Sequence, residues 1–472
     1  MNLAKRKTGG LKGLVCLFLL LCANLPAQEA KRLSPGEAVE LAIKSNLSLE
    51  TSRTGTAIKK RASDMSWNQF IPSVSVAGSL LGDNEKTTVT GMVPVDMADV
   101  IPMLPPNTLY GVYPYSVDAP QWHVAGSIQA SLNINFAMFE NMKRLRLDYE
   151  GGMLGYQKAK AQLERDIRKA YHNMLLVQEN IALLRGSFEN AERQVRMARD
   201  NYNAGLVPEL TLLQAQVARE NLRPIIDQAE NGLKLAMAQF AMYLGLSYDT
   251  PFELIPVTEE TSFIPLDVAE MIKKAASGKP DIQELRQNIL LMQSARKAQV
   301  YLLTPSLNLS WNYNSAFIKD PWKDPWFDSK DDWKNSGSLT LSLVLRLHSL
   351  IPFSADFQGV KNLDDQITSA NIGLAQMIQV TEIEIYNTVL ALEKTRISAE
   401  AQAQTVDMAQ RSYRLTEQAY QAGLQDLFQV QNAEQSLRQA RVQMLEQQFN
   451  YLNGLIDLEY SIGVPYGTLG SN

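Results

Sequence analysis

Two periodicities alternate along the chain. Between residues 124 and 136 the even positions are apolar or small: Val124, Gly126, Ile128, Ala130, Leu132, Ile134 and Phe136. From 127 the odd positions are polar: Ser127, Gln129, Ser131, Asn133 and Asn135. Residues 306–313 set Leu307, Leu309, Trp311 and Tyr313 against Ser306, Asn308, Ser310 and Asn312. Residues 337–348 set Leu339, Leu341, Leu343, Leu345 and Leu347 against Ser338, Thr340, Ser342 and Arg346. Successive side chains of a strand point to opposite faces, so a period of two predicts strands with one apolar and one polar side. Strands are expected at about 72–81, 124–136, 305–314 and 337–348. Alternation of this length fits a tilted bilayer crossing of roughly 9–11 residues. A water-soluble sandwich would alternate in the same way, but the rest of each half reads as helix and offers no second sheet.

The helical pattern is as regular. From Leu163 to Gly205 small or apolar residues fall at 163, 167, 170, 174, 177, 181, 184, 188, 191, 195, 198, 202 and 205. This alternating spacing of four and three is that of a coiled-coil seam. Ala170, Ala191, Ala198 and Gly205 keep it narrow and allow close helix approach. No proline interrupts 121–207 or 353–464, and a continuous helix over 138–204 would be on the order of 100 Å long.

The pattern occurs twice. "AERQVRMARDNYNAGL" (191–206) aligns with "AQRSYRLTEQAYQAGL" (409–424), and Ala215/Ala433 and Gly245/Gly463 continue the register. Upstream, "PSVSV" (72–76) pairs with "PSLNL" (305–309), and "GSIQASLNINF" (126–136) with "GSLTLSLVLRL" (337–347). The chain reads as a tandem duplication: a first repeat over 31–246, a linker over 247–265 and a second repeat over 266–464. At the end of each seam the chain must reverse. Gly205 and Gly423 can take the positive φ that ends a helix, and the tyrosine three residues before each, Tyr202 or Tyr420, is expected against a partner helix. Pro208 suits the first turn of the next helix. Helix-hairpin tips are expected at about 202–209 and 420–428.

The N-terminus changes the compartment. Lys5, Arg6, Lys7 and Lys12 precede the apolar run "LVCLFLLLCA" (14–23), with small residues at Ala27 or Ala30 for cleavage. This predicts a secretory signal over 1–27. Cleavage after Ala27 takes four positive charges from a chain of formal net charge -5, leaving -9, and removes both cysteines, Cys16 and Cys22. Lipidation of Cys22 is disfavoured by the bulky Leu21 before it. No basic block outside the N-terminus points to a nucleic-acid partner, and no later stretch is apolar for long enough to span a membrane as a helix.

Catalytic chemistry finds no support. The three histidines, His123, His172 and His348, sit in no metal-binding spacing, and no cysteine remains after cleavage to act as nucleophile or ligand. No cofactor is expected. The loop 314–336, with Trp322, Trp326 and Trp333 among charges of both signs, reads either as a surface loop whose tryptophans cap the barrel or sit at the membrane interface, or as a carbohydrate- or calcium-binding loop.

Taken together, the duplicated Tyr-x-x-Gly tip followed by an alanine ten residues on (Tyr202, Gly205, Ala215; Tyr420, Gly423, Ala433), the "KPDIQELR" stretch (279–286) and the Pro-Ser helix-to-strand junctions resemble the TolC-like outer-membrane factor family over about 31–464. The resemblance implies a mainly α fold with a small membrane β part, built from tandem-duplicated coiled-coil helices and four β-strands per chain. It implies a homotrimer in the outer membrane, with a 12-stranded β-barrel over an α-helical tunnel closed at its periplasmic tip. Loops 82–123 and 314–336 would face outside the cell. The implied role is the exit duct of a tripartite efflux pump or type I secretion system. The implied partners are a periplasmic adaptor (membrane fusion) protein, an inner-membrane transporter of the RND, ABC or MFS class, and outer-membrane lipid. Four strands cannot close a barrel alone, which independently asks for several copies. The expected barrel lumen is lined by Ser127, Gln129, Ser131, Asn308, Ser338 and Thr340. The expected tip and gate residues are Tyr202, Gly205, Glu209, Tyr420, Gly423, Gln425, Asp426, Gln429 and Asn432. The chain departs from the family where acidic residues often form a constriction ring, since Gln429 and Asn432 occupy those positions. A trimeric coiled-coil adhesin or structural envelope protein is the alternative. An adhesin, however, would carry its strands consecutively at the C-terminus.

Overall fold

The structure, a computed structural model, describes residues 31–85, 88–96, 105–107, 110–118, 120–256 and 266–469. The expected signal segment with Cys16 and Cys22, and the later part of the expected linker (257–265), lie outside these residues. In chain order the first elements are β1 (Lys31–Leu33), α1 (Pro35–Ser45), α2 (Leu47–Asp64), β2 (Ser73–Gly82), β3 (Thr88–Asp96), β4 (Tyr110–Asp118) and β5 (Trp122–Ile134). Next come α3 (Phe136–Asn203), α4 (Glu209–Tyr243) and β6 (Phe252–Leu254). Then follow α5 (Val268–Gly278), α6 (Pro280–Tyr301), β7 (Ser306–Phe317), β8 (Trp333–Val344), α7 (Ala355–Gln421) and α8 (Leu427–Ile462). The chain divides into two compact units, one of Lys59–Tyr149 with Ile289–Ser369 and the other of Met1–Ile58, Glu150–Asn288 and Ala370–Asn472.

The first unit holds an antiparallel four-stranded sheet in the order β2-β5-β7-β8. Each strand lies within a few residues of the segment expected for it. Phe136 begins α3 rather than ending β5, Leu347 with His348 belongs to a 3-10 turn, Leu347–Leu350, beyond β8, and the expected loop 314–336 is shorter, since β7 runs to Phe317 and β8 begins at Trp333. A further correction concerns 82–123, read as a polar loop. It contains a hairpin, β3 paired with β4, in register from Thr88↔Asp118 to Asp96↔Tyr110. Pro94 and Pro114 lie within these strands. A two-stranded ribbon consists only of edges, where the missing proline N–H is tolerated.

The second unit is helical, with one small parallel pair, β1 with β6 (Lys31↔Phe252 to Leu33↔Leu254), which the sequence reading also missed. α1 is held by a capping box: the Glu37 N–H donates to Ser34 Oγ (3.3 Å) while the Ser34 N–H donates to Glu37 Oε2 (2.8 Å). Its buried face, Ala38, Val39 and Ala42, joins Ile167, Tyr171, Met174, Phe240, Ala241, Leu244 and the β1–β6 pair in one core. The Tyr171 hydroxyl lies 2.7 Å from the carbonyl oxygens of Leu33 and Ile255 and accepts from the Ile255 N–H (2.8 Å), tying β1 to the chain after β6. A second core repeats the arrangement with α5: Met271 and Ala275 pack against Ile385, Val389, Leu392, Tyr451, Leu455, Leu458 and Ile462 of α7 and α8. Each fully buried side chain of this size contributes about 1.5–3 kcal/mol.

The glycines closing α4 and α8 explain why the two cores take the same form. Gly245 and Gly463 have φ of 72° and 70°. The N–H of the following residue reaches back to the last turn in both, Leu246 to Ala241 O (2.8 Å) and Val464 to Glu459 O (3.1 Å). The turn made by Gly463 runs directly against the end of α5, and that made by Gly245 against the end of α1. A Cβ on Gly245 would lie 2.3 Å from Ser45 O, and one on Gly463 2.1 Å from Gly278 O.

Candidate functional site

The polar and apolar positions of the four strands sort onto opposite faces of one sheet. Residues directly opposite across an antiparallel pair share a face. The pairings Ser75↔Gln129↔Asn312↔Ser338 and Ser73↔Ser131↔Ser310↔Thr340 form two rows running across all four strands. Asn133↔Asn308↔Ser342 and Ser127↔Asn314↔Ser336 flank them. All six residues expected to line a lumen therefore share one face. Side-chain bonds cross the strands there: Ser73 Oγ to Ser131 Oγ (2.8 Å), and Ser338 N–H and Oγ to Asn312 Oδ1 (2.9 Å each). The other face carries Val74, Val76, Ile128, Leu132, Leu309, Trp311, Tyr313, Leu339, Leu341 and Leu343 in matching rows. The valines and leucines of β2 and β8 on this face are largely exposed.

Among the described residues β2 and β8 each pair on one side only. An unpaired edge offers a row of free N–H and C=O groups, a template for another strand. If the apolar face met lipid, each such group left unpaired would cost several kcal/mol.

At the C-terminal end of β7 the tryptophan-rich loop folds onto the sheet. Phe317, 1% exposed, packs its ring 5.3 Å from Trp333. The Trp333 indole donates to Trp326 O (2.5 Å), and that of Trp326 to Pro321 O (2.8 Å). Asp332 is buried and paired with Lys319 at 2.7 Å. The tryptophans thus cap strand ends, and among the described residues no acidic or histidine cluster is arranged to hold a metal.

The tips lie in the helical unit, and both are built alike. Gly205 and Gly423 have φ of 72° and 74°. Leu206 N–H donates to Asn201 O and Leu424 N–H to Ala419 O, both at 2.8 Å, satisfying carbonyls that a helix end leaves free. The restarts differ. Asp426 caps α8, its Oδ1 accepting from the Gln429 N–H (3.0 Å), whereas Pro208 caps α4 with no side-chain bond and precedes rather than enters the first turn. Glu209 opens α4 and, like Gln425, Gln429 and Asn432, is exposed.

The two tip tyrosines are not equivalent. Tyr420 is 7% exposed and packs with Val195, Ala198, Ala215, Leu427 and Val430, joining all four hairpin helices. Tyr202, expected against a partner helix in the same way, is 40% exposed. The seam position is the same, but only one of the two tyrosines faces the inside of the four-helix cluster. Sequence reasoning also missed a feature of the tips: Leu206 and Leu210 on one hairpin, and Leu424 and Phe428 at the same offsets on the other, are strongly exposed. A further polar cavity of about 250 Å³ opens between α3 and α8, lined by Glu189, Asn190, Arg193, Glu434, Arg438 and Arg441.

The "KPDIQELR" stretch has a structural role. Lys279 is buried, its Nζ donating to Glu384 Oε2 (2.5 Å) and Thr381 Oγ1 (3.3 Å), so that the start of α6 is tied to α7. His172 is buried between α3 and α8 beside Phe449. Burial pushes its pKa below the ordinary histidine value, Asn453 opposes the shift, and the charge of Arg168 adds to it. The group is therefore held neutral and is not poised for proton transfer.

Among the described residues no helix is long and apolar enough to cross a membrane. No curated protein matches the chain by sequence. Solved structures match it as a fold. CusC superposes with a TM-score of 0.71 at 15% identity, covering 91% of this chain and 92% of that one. The CmeC outer membrane channel of Campylobacter jejuni gives 0.70 at 14% identity, with 91% and 85% covered. The outer membrane protein VceC of Vibrio cholerae gives 0.68 at 13% identity, with 92% and 96% covered. The profile of the outer membrane efflux proteins matches residues 119–246 and 271–464, more than half of the chain. With its TolC-like fold of long helices and a two-faced sheet, the chain belongs to the outer membrane efflux protein family, whose members are transport ducts rather than enzymes.

Proposed function

We propose that three copies of the chain form the outer-membrane exit duct of a tripartite efflux pump or type I secretion system. One observation carries the reading: a four-stranded sheet, apolar on one face and polar on the other, with both edges unpaired among the described residues. A closed membrane barrel needs about eight strands, and three copies supply twelve. In the order β2-β5-β7-β8, with every neighbour antiparallel, β8 of one copy would also meet β2 of the next antiparallel. Joining copies this way satisfies both edges, places the leucines and valines toward lipid, and lines the lumen with Ser127, Gln129, Ser131, Asn308, Ser338 and Thr340.

The hairpin tips then serve as the periplasmic end. Their exposed apolar pairs, Leu206 with Leu210 and Leu424 with Phe428, offer surface for a periplasmic adaptor, and an inner-membrane transporter of the RND, ABC or MFS class would supply the driving force. Gly205 and Gly423 set the reversals on which a gate made by Tyr202, Glu209, Tyr420, Gln425, Asp426, Gln429 and Asn432 would turn. Cysteines introduced as Val76→Cys in β2 and Leu341→Cys in β8, joined by a short bifunctional maleimide, should give a ladder ending at three chains, with a matching mass by light scattering in detergent. A monodisperse monomer with full strand signal in circular dichroism would overturn the reading.

A further inference from the structure

Four consecutive rows of the polar face, from Asn308 to Asn314 along β7, hold serine, threonine, asparagine and glutamine, with Ala77 the one apolar exception at the β2 edge. Among the described residues of these rows no side chain carries a charge. Charge appears only past the band: the next row, Ser79↔Ala125↔Ala316↔Lys334, brings in Lys334, and His123 opposite Leu81 lies one row further. At two residues per row and about 3.4 Å per residue, the neutral band runs about 20 Å along the strands.

We infer that this segment of the duct does not discriminate solutes by charge, so that cations, anions and zwitterions pass it alike. The inference rests on the duct reading above. Rings of carboxylates or of basic side chains make a pore prefer one sign, and three copies would triple any charge placed here. Hydroxyls and carboxamides instead both donate and accept hydrogen bonds, so an ion of either sign finds matching dipoles. Gln429 and Asn432 are neutral, but Glu209 and the N-capping Asp426 keep their charges at the tips, so the inference concerns the sheet segment alone.

The test reads local potential through reaction rates. In the full-length chain carrying Cys16→Ser and Cys22→Ser, Ser310→Cys is exposed in intact cells to anionic sulfonatoethyl and cationic trimethylammonioethyl methanethiosulfonates. Each rate is normalised to that of free 2-mercaptoethanol. The normalised rates should agree within about threefold and change little with ionic strength, whereas adding Gln129→Glu should favour the cationic reagent by roughly threefold or more for each of the three charges. A tenfold preference for either sign without that substitution overturns the inference while leaving the duct intact. Modification of Leu341→Cys with no reaction of Ser310→Cys overturns the duct reading and the inference with it, and the missing reaction tells that result from a charge filter.

Discussion

Gly423 and Gly463 share a backbone conformation but not an environment, and this separates two costs usually measured together. Their φ angles are 74° and 70°, and both end a long helix with the same back-bonded turn. A Cβ at Gly423 meets nothing within 4 Å, whereas one at Gly463 would sit 2.1 Å from Gly278 O and 2.4 Å from Gly278 C. Alanine at either site bears the left-handed strain of about 1–2 kcal/mol, partly offset by the smaller entropy of its unfolded chain, about 0.4–1 kcal/mol. Gly423→Ala should therefore cost about 0.5–1 kcal/mol. At Gly463 the Cβ meets backbone, which cannot rotate away, so α5 and α8 must separate and loosen the core of Met271, Ala275, Leu458 and Ile462. Overpacking of this kind adds about 1–3 kcal/mol. With about 2–4 °C per kcal/mol for units of this size, Gly423→Ala should lower the thermal midpoint by under about 4 °C, and Gly463→Ala, at about 1.5–4 kcal/mol in all, by about 3–16 °C. The midpoints are followed by circular dichroism at the helix band in detergent. Equal shifts would refute the reasoning, since the cost would then reside in φ alone.

The tip prediction concerns transport rather than stability. Gly423→Val should strain the turn by about 1–3 kcal/mol and abolish efflux or secretion in a dye-accumulation or export assay while trimers persist in the outer membrane; normal transport would make the turn purely structural. The buried imidazole of His172 predicts acid sensitivity. Its native pKa lies below the unfolded value of about 6.5, so the unfolded chain takes up the proton first and stability falls as pH drops below that value. His172→Phe should flatten the midpoint-against-pH curve between pH 7 and 5, and an unchanged slope would assign the sensitivity to other groups.

Local chemistry was legible in the sequence wherever a pattern repeats within one element. Period-two alternation marked three of the four sheet strands because neighbouring side chains of a strand must part to opposite faces, whatever the strand pairs with, and the repeat of Pro-Ser-Val-Ser-Val marked the fourth. The reversals at Gly205 and Gly423 were legible because positive φ is a property of the single residue. The hairpin of β3 and β4 escaped notice, since its strands carry Pro94 and Pro114 and gain their order only from each other. The pair of β1 and β6 is three residues long, and its partners lie 221 residues apart at every pairing. No local propensity can specify such a contact, which exists because Tyr171 and the core around Phe240 draw both segments together. The tyrosines show the same division most plainly. Tyr202 and Tyr420 hold identical places in a repeated motif, yet one is exposed and the other buried. The sequence determined where each helix turns, and the packing of four helices around Ala198, Ala215 and Val430 decided which tyrosine the turn would bury.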